Sequence, residues 1–381
     1  MSVVRAQARR RWLVVACVVA VLCALPGVVG ALPVPGSALT AAQLRARILA
    51  SSAVPYQGYA ESVVDLDLPE LPDLGDVTTL LDGTTGQYAW YRSPGHWRAD
   101  IVSAAGENDI YQTGQGTYLW NYGRNLLTQV TGTEPVRLPR AADLLPPALA
   151  RRLLGLAGRG DHATRLPSLR VGGVDAAGLR IVPAGGATTI GQIDVWADPA
   201  SGLPVQVEVI GRGTSKPALV SRFLQLSLRR PALATVTPHP SPGAGVTQAQ
   251  LPDVTGILNG FGPPLPASLA GLRLATPAFL SGVSGLPDLG AYGSGLTRFA
   301  VLPLPFDVGS EALTAASDAG AGAGVVRLTD GTGVLLRTPL LTVLLARTQS
   351  GGTVFLLAGP VTPALLVRAG SDLLAGTAVP S

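Results

Sequence analysis

The feature that most limits what this chain can fold into is a run of short β-prone segments from Tyr56 to about Arg229. Two blocks carry it, Gly86–Val130 (GQYAWYRSPGHWRADIVSAAGENDIYQTGQGTYLWNYGRNLLTQV) and Gly178–Gly213 (GLRIVPAGGATTIGQIDVWADPASGLPVQVEVIGRG). Each is cut by Gly, Pro, Asn and Asp turn signals and has no helical period, which predicts one long antiparallel meander. Inside it Trp97, Ala99 and Ile101 alternate with His96, Arg98 and Asp100, and Tyr118, Trp120 and Tyr122 form a second alternating set. A period of two puts each set on one face of a sheet.

Two helices are expected around this meander. TAAQLRARILAS has Thr40 as N-cap and Leu44, Ile48 and Leu49 on one side. Ala141–Ala157 has Pro146-Pro147 in its first turn and an apolar side of Leu149, Leu153, Leu154 and Leu156, suited to fill the concave side of a sheet. Residues 231–290 are rich in Pro, Gly and Ala and read as a linker. Beyond them, a strand in GLTRFAVLPL, a helix over Asp307–Ala319, three strands divided by Asp-Gly and Ser-Gly-Gly turns, and a closing helix with Thr362 as N-cap and Pro363 at its first position predict a small α+β unit at 291–376.

Residues 1–31 read as an export signal or N-terminal membrane anchor. Arg5, Arg9, Arg10 and Arg11 precede an uncharged apolar stretch, Trp12–Val29, followed by Gly30 and Ala31. Those four arginines also account for the formal net charge of +4. The body after them is formally neutral, which argues against nucleic acid as a partner. Both cysteines, Cys17 and Cys23, lie in the apolar stretch, so the exported body has no thiol chemistry available.

Catalytic signals are sparse. The three histidines, His96, His162 and His239, fall in unrelated settings without HExxH spacing, and no serine sits in G-x-S-x-G. The acids Asp65, Asp67, Glu70, Asp73 and Asp76 lie on a proline-extended segment and read as a solvated strand end and loop. No catalytic residue, metal ligand or cofactor is expected. The aromatic residues of the meander, with the 141–157 helix, are the candidate lining of an apolar cavity: Trp97, Ile101, Tyr118, Trp120, Tyr122, Leu149 and Leu153.

The first block, through Trp97-Arg98-x-Asp100, Asp109-x-Tyr111 and Trp120-x-Tyr122, resembles the core of the LolA/LolB-like lipoprotein carrier and localisation proteins. The second block resembles that family's second half through Asp194-x-Trp196-x-Asp198 and Gly202-Leu203-Pro204, and the match runs from Gln43 to Leu228. Together with GLTRFAVLPL and the Thr362-Pro363-Ala364-Leu365-Leu366 start of the closing helix, the layout resembles the exported MucB/RseB sigma-factor regulatory proteins. The resemblance implies an α+β protein: an antiparallel half-barrel over 40–230, with one or two helices on its concave side, followed by the small domain. It implies a non-enzymatic envelope protein on the outer face of the cytoplasmic membrane, secreted or anchored. Its implied ligand is a lipid or acylated lipoprotein. The implied partner is a lipoprotein transporter or, in the alternative reading, a single-pass membrane anti-sigma factor.

Overall fold

The turn chemistry read from the sequence places most of the strands. In the computed structural model, which describes residues 12, 14–19, 33–66, 80–103, 106–131, 140–250, 264–275, 290–317, 322–349 and 351–377, helix α1 (Ala41–Ala50) precedes the sheet. Thr40 caps it in a box closed by Gln43. Leu44 and Ile48 are fully buried, whereas Leu49 is 39% exposed, so the apolar side is narrower than expected.

Six strands follow: β1 (Tyr56–Asp65), β2 (Asp82–Ser93), β3 (His96–Ser103), β4 (Gly106–Thr113), β5 (Gly116–Asn121) and β6 (Leu126–Thr131). After helix α2 (Pro146–Leu156), with proline in its first turn, come β7 (His162–Val171), β8 (Val174–Val182), β9 (Ile190–Ala197), β10 (Pro204–Gly211) and β11 (Pro217–Ser227). The β7–β8 turn is Gly172-Gly173, both at positive φ (56° and 85°), as a tight hairpin requires.

β1 pairs with β2 on one side and with β11 on the other, so two meanders lie on either side of it in one open sheet. A further strand, β12 (Gly245–Gln250), runs parallel to β6 at the sheet's edge. It lies in the stretch expected as linker, and none of its six residues is buried, which is why its sequence carries no core periodicity.

The second sheet has eight strands, in the order β13-β14-β15-β16-β20-β19-β18-β17. These are β13 (Ser268–Leu269), β14 (Leu272–Ala275), β15 (Gly290–Ser294), β16 (Thr297–Leu304), β17 (Ala323–Leu328), β18 (Gly331–Arg337), β19 (Thr342–Thr348) and β20 (Val354–Gly359). The region read as three strands holds four, β17 to β20. The missed turn, between β18 and β19, has no glycine. Pro339 interrupts the ladder, and the Thr338 hydroxyl accepts from the Leu340 and Leu341 amides. Helices α3 (Phe306–Ser317) and α4 (Pro363–Thr377) cover opposite faces of this sheet.

The two sheets are tied at one seam. Thr188 and Val361 form a β-bridge, the Thr189 amide donates to the Pro360 carbonyl (3.1 Å), and the Thr362 amide donates to the Ala187 carbonyl (2.9 Å). Leu296 and Leu340 of the second sheet's turns enter the core of the first. The observed architecture is the expected open, mostly antiparallel sheet with helices on one face, joined to a smaller α+β unit. The single meander read from the sequence is, however, two, flanking β1, with β6 and β7 toward opposite edges because α2 separates them in the chain. Among the described residues no helix is long and apolar enough to cross a membrane. Of the N-terminal segment, only Trp12 and residues 14–19, which are helical, lie within the description.

Candidate functional site

Cross-strand register assigns every side chain of the large sheet to a helix face or an outer face. Ala60, Gln87, Ile101, Asn108 and Asn121 follow one another across β1 to β5 on the helix face. Tyr91, Trp97, Gln112 and Thr117 do the same two rows away, with Ala89, Ala99, Ile110 and Leu119 in the row between.

The helix face is filled unequally. Helix α1 rests on β7 and β8, and α2 on β10 and β11. Leu44, Ile48, Leu149, Ala150 and Leu154 from the helices pack there against Leu179, Ile181, Ile193, Val195, Val207 and Val209. The 141–145 segment marks the border of this filled half. The Ser62 and Ser221 hydroxyls both donate to the Leu144 carbonyl, and Gln87 Nε2 donates to Ala141 (2.9 Å). Beyond the border, Ala99 and Ile110 are buried while Trp97, Ile101 and Leu119 are only partly so.

The expected cavity set therefore divides. Trp97 and Ile101 lie on the open part of the helix face; Leu149 is buried in the filled core, and Leu153 packs against it. Tyr118 and Trp120 lie on the outer face, and Tyr122, 48% exposed, follows β5 with its ring set edge-on to Trp120 at 5.5 Å. The cause is register: Trp120 faces Asp109, and Leu119 faces Ile110. Leu119, Ile110 and Ala99 complete the helix-face row and were absent from the candidate list. Alternation in β4 and β5 holds their signal, but only the pairing sets its phase against β3.

The outer face gathers the charged and aromatic residues of the first block. Arg98 lies over the Trp90 ring (5.1 Å) and the Tyr111 ring (5.0 Å). Its Nε bonds Asp100 Oδ1 (2.5 Å), a second guanidinium nitrogen bonds Asp109 Oδ2 (2.8 Å), and the Tyr111 hydroxyl donates to Asp109 Oδ2 (3.2 Å). Burial first, and then the charge of Asp100, pushes the Asp109 carboxyl up to about 7. Burial likewise raises Asp100, against the pull of Arg98. For Arg98 burial is the largest influence and acts downward, but the bond to Asp100 and the charges of Asp100, Tyr111 and Asp109 together outweigh it, so the guanidinium is held charged. Carboxylate oxygens of Asp100, Glu107 and Asp109 lie within 4.8 Å of one another, but Arg98 already occupies two of the three groups, as a structural charge cluster does.

The second block builds a similar but more exposed pair. Arg180 grips Asp194 with two bonds, 2.7 and 2.6 Å. The Trp196 indole donates to the Pro167 carbonyl (3.1 Å), and Asp198 accepts from the Ala200 and Ser201 amides to shape the turn into β10. The motif residues that carried the sequence resemblance thus lock strands together. None of them lines the open part of the helix face except Trp97.

No protein-family profile matches the chain, and no curated protein sequence matches it. Among solved structures it is similar to that of MucB, at 16% identity over 87% of this chain and 96% of that one, with a TM-score of 0.45. A Pseudomonas aeruginosa MucA/MucB complex matches over the same shares at 16% identity and a TM-score of 0.44. A LolA-superfamily protein from Nitrosomonas europaea matches at 13% identity, over 53% of this chain and 99% of that one, with a TM-score of 0.24. Superpositions this loose carry no argument of their own. The strand order, the open edges and the helices on a single face define an open, mostly antiparallel sheet of twelve strands followed by a second, smaller sheet.

Proposed function

We infer that the protein is an exported, non-enzymatic binding protein of the cell envelope that holds an acyl chain of a lipid or lipoprotein against the open part of its helix face. One observation supports this above the others. The helices fill the sheet over β7–β11, while Trp97, Ile101 and Leu119, above a floor of Ala99 and Ile110, remain partly exposed on the same face. An apolar strip beside a packed core suits a flexible hydrocarbon, which gains about 0.8 kcal/mol for each methylene removed from water. The test is native mass spectrometry, with lipid extraction, on the full chain purified from its own membrane fraction. Co-purifying acyl species, depleted several-fold by Ile101→Glu and by Leu119→Glu, are expected; ligand-free protein would sink the reading.

A second reading is a regulator that docks the extracytoplasmic part of a single-pass membrane anti-sigma factor, a role to which the MucA/MucB complex gives its form. The seam between residues 187–189 and 360–362 favours it, because it fixes a second unit that hydrocarbon binding by the first sheet does not require. Capture of one single-pass protein by the lipid-free chain, lost when the seam is opened by Thr189→Pro, would support this reading over the first.

A further inference from the structure

We propose that the outer face carries a binding site for a neutral saccharide, separate from the acyl strip on the opposite face. The site is a shallow groove of about 360 Å³ across β2, β1 and β11. Register builds it as two rows of three: Trp90, Gln57 and Ser227 in one, and Tyr88, Tyr59 and Gln225 in the other. The Tyr59 and Tyr88 rings lie 4.7 Å apart, and Tyr88 stacks on Trp90 at 6.0 Å.

Gly86 supports this arrangement. A Cβ there would stand 2.3 Å from the Tyr59 hydroxyl oxygen, so the missing side chain lets the tyrosine lie across β2. Tyr88 is 44% exposed, which on an outward-facing strand leaves aromatic surface uncovered.

The polar groups of the groove select the ligand. The Gln57 and Gln225 carboxamides, the Tyr59 and Tyr88 hydroxyls and Trp90 Nε1 have no hydrogen-bond partner among the described residues. No charged side chain lines the groove. Of the charges around it, Arg222 is paired with Glu61 (3.2 Å) and Arg98 with Asp100 and Asp109, while the exposed Arg229 and Arg230 follow Ser227 just beyond the groove's end. A site that is uncharged, aromatic and equipped with carboxamides that both donate and accept matches a molecule with C–H faces and hydroxyl edges. A proline-rich peptide, another ligand of aromatic grooves, offers mainly carbonyl acceptors and would leave both carboxamide oxygens unmatched.

The test is calorimetric titration of the full chain with tetra-N-acetylchitotetraose and with cellotetraose. Saturable binding of at least one glycan is expected. Tyr88→Ala and Gln225→Ala should each weaken it about fivefold to tenfold, the scale of one lost contact. Val325→Ala, on the exposed surface of the second sheet, should leave it unchanged, and bound acyl species should be the same in all three variants. Absence of saturable binding by both glycans would overturn the proposal. So would binding that both groove variants leave unaltered, or a proline-rich peptide displacing the glycan with higher affinity.

Discussion

Asp109 and Trp120 face each other across β4 and β5 on the outer face, and each holds one buried polar atom without a partner among the described residues, Asp109 Oδ1 and Trp120 Nε1. The other oxygen of Asp109 is shared by Arg98 and Tyr111. The Asp109 side chain is fully buried here, and its carboxyl contributes a definite sign to the pH dependence of stability.

The Asp109 carboxyl, pushed up to about 7 chiefly by burial, binds its proton more tightly folded than unfolded. A raised carboxyl contributes stability that is fully present below its unfolded value and is lost as pH rises through the folded one. Asp100 shifts in the same direction. The wild-type urea midpoint should therefore fall between about pH 5 and about pH 8, and Asp109→Asn should flatten that slope. A midpoint that rises over this window would contradict the assignment.

Removing the cation should be far costlier than removing one carboxylate. Arg98→Met leaves Asp100 and Asp109 buried side by side and strips the guanidinium from between Trp90 and Tyr111. The expected loss is about 3–5 kcal/mol in chemical denaturation. Arg98→Lys should recover only part of it, because a point charge cannot fork to two carboxylates and stack on two rings.

Unequal filling of the helix face can be measured as unequal sensitivity to truncation. Leu154→Ala, at a fully buried position in the core, should cost about 2–5 kcal/mol. Leu119→Ala, on the open part, should cost under about 1.5 kcal/mol in lipid-free protein. Equal costs would mean that the strip is as tightly packed as the core.

Gly202, in the turn before β10, has φ +74°, and a Cβ there would lie 2.5 Å from the Arg47 carbonyl oxygen at the end of α1. Gly202→Ala should destabilise by about 2 kcal/mol or more, from backbone strain plus displacement of the helix. Gly173→Ala, also at positive φ but with open space around it, isolates the backbone part and should cost about 1 kcal/mol. Thermal melts of the two variants give the comparison.

Much of the local structure was legible because its determinants are local. The Thr40 N-cap, the prolines opening α2 and the Asp330-Gly331 turn between β17 and β18 are each set by residues a few positions apart. Leu49 and the β18–β19 turn were less legible. The first depends on how far α1 tilts onto the sheet, and the second on a threonine hydroxyl doing what a glycine commonly does. β12 left almost no trace, because an exposed edge strand is held by backbone bonds that any side chain permits.

The sequence by itself determined which residues within a strand share a face, since side chains alternate with a period of two whatever the neighbouring strands do. It also determined the helix N-caps and the turns that glycine marks, and it supplied the motif residues that pairing between β2, β3 and β4 gathers into the Arg98 cluster. Only the tertiary structure decided the relation between strands. Pairing register set Trp97 and Trp120 on opposite faces, and the placement of α1 and α2 filled one half of the helix face and left the other partly open. A one-residue change of register exchanges the two faces without altering the alternation along any strand, so no reading of single strands could have placed the apolar strip or the outer groove.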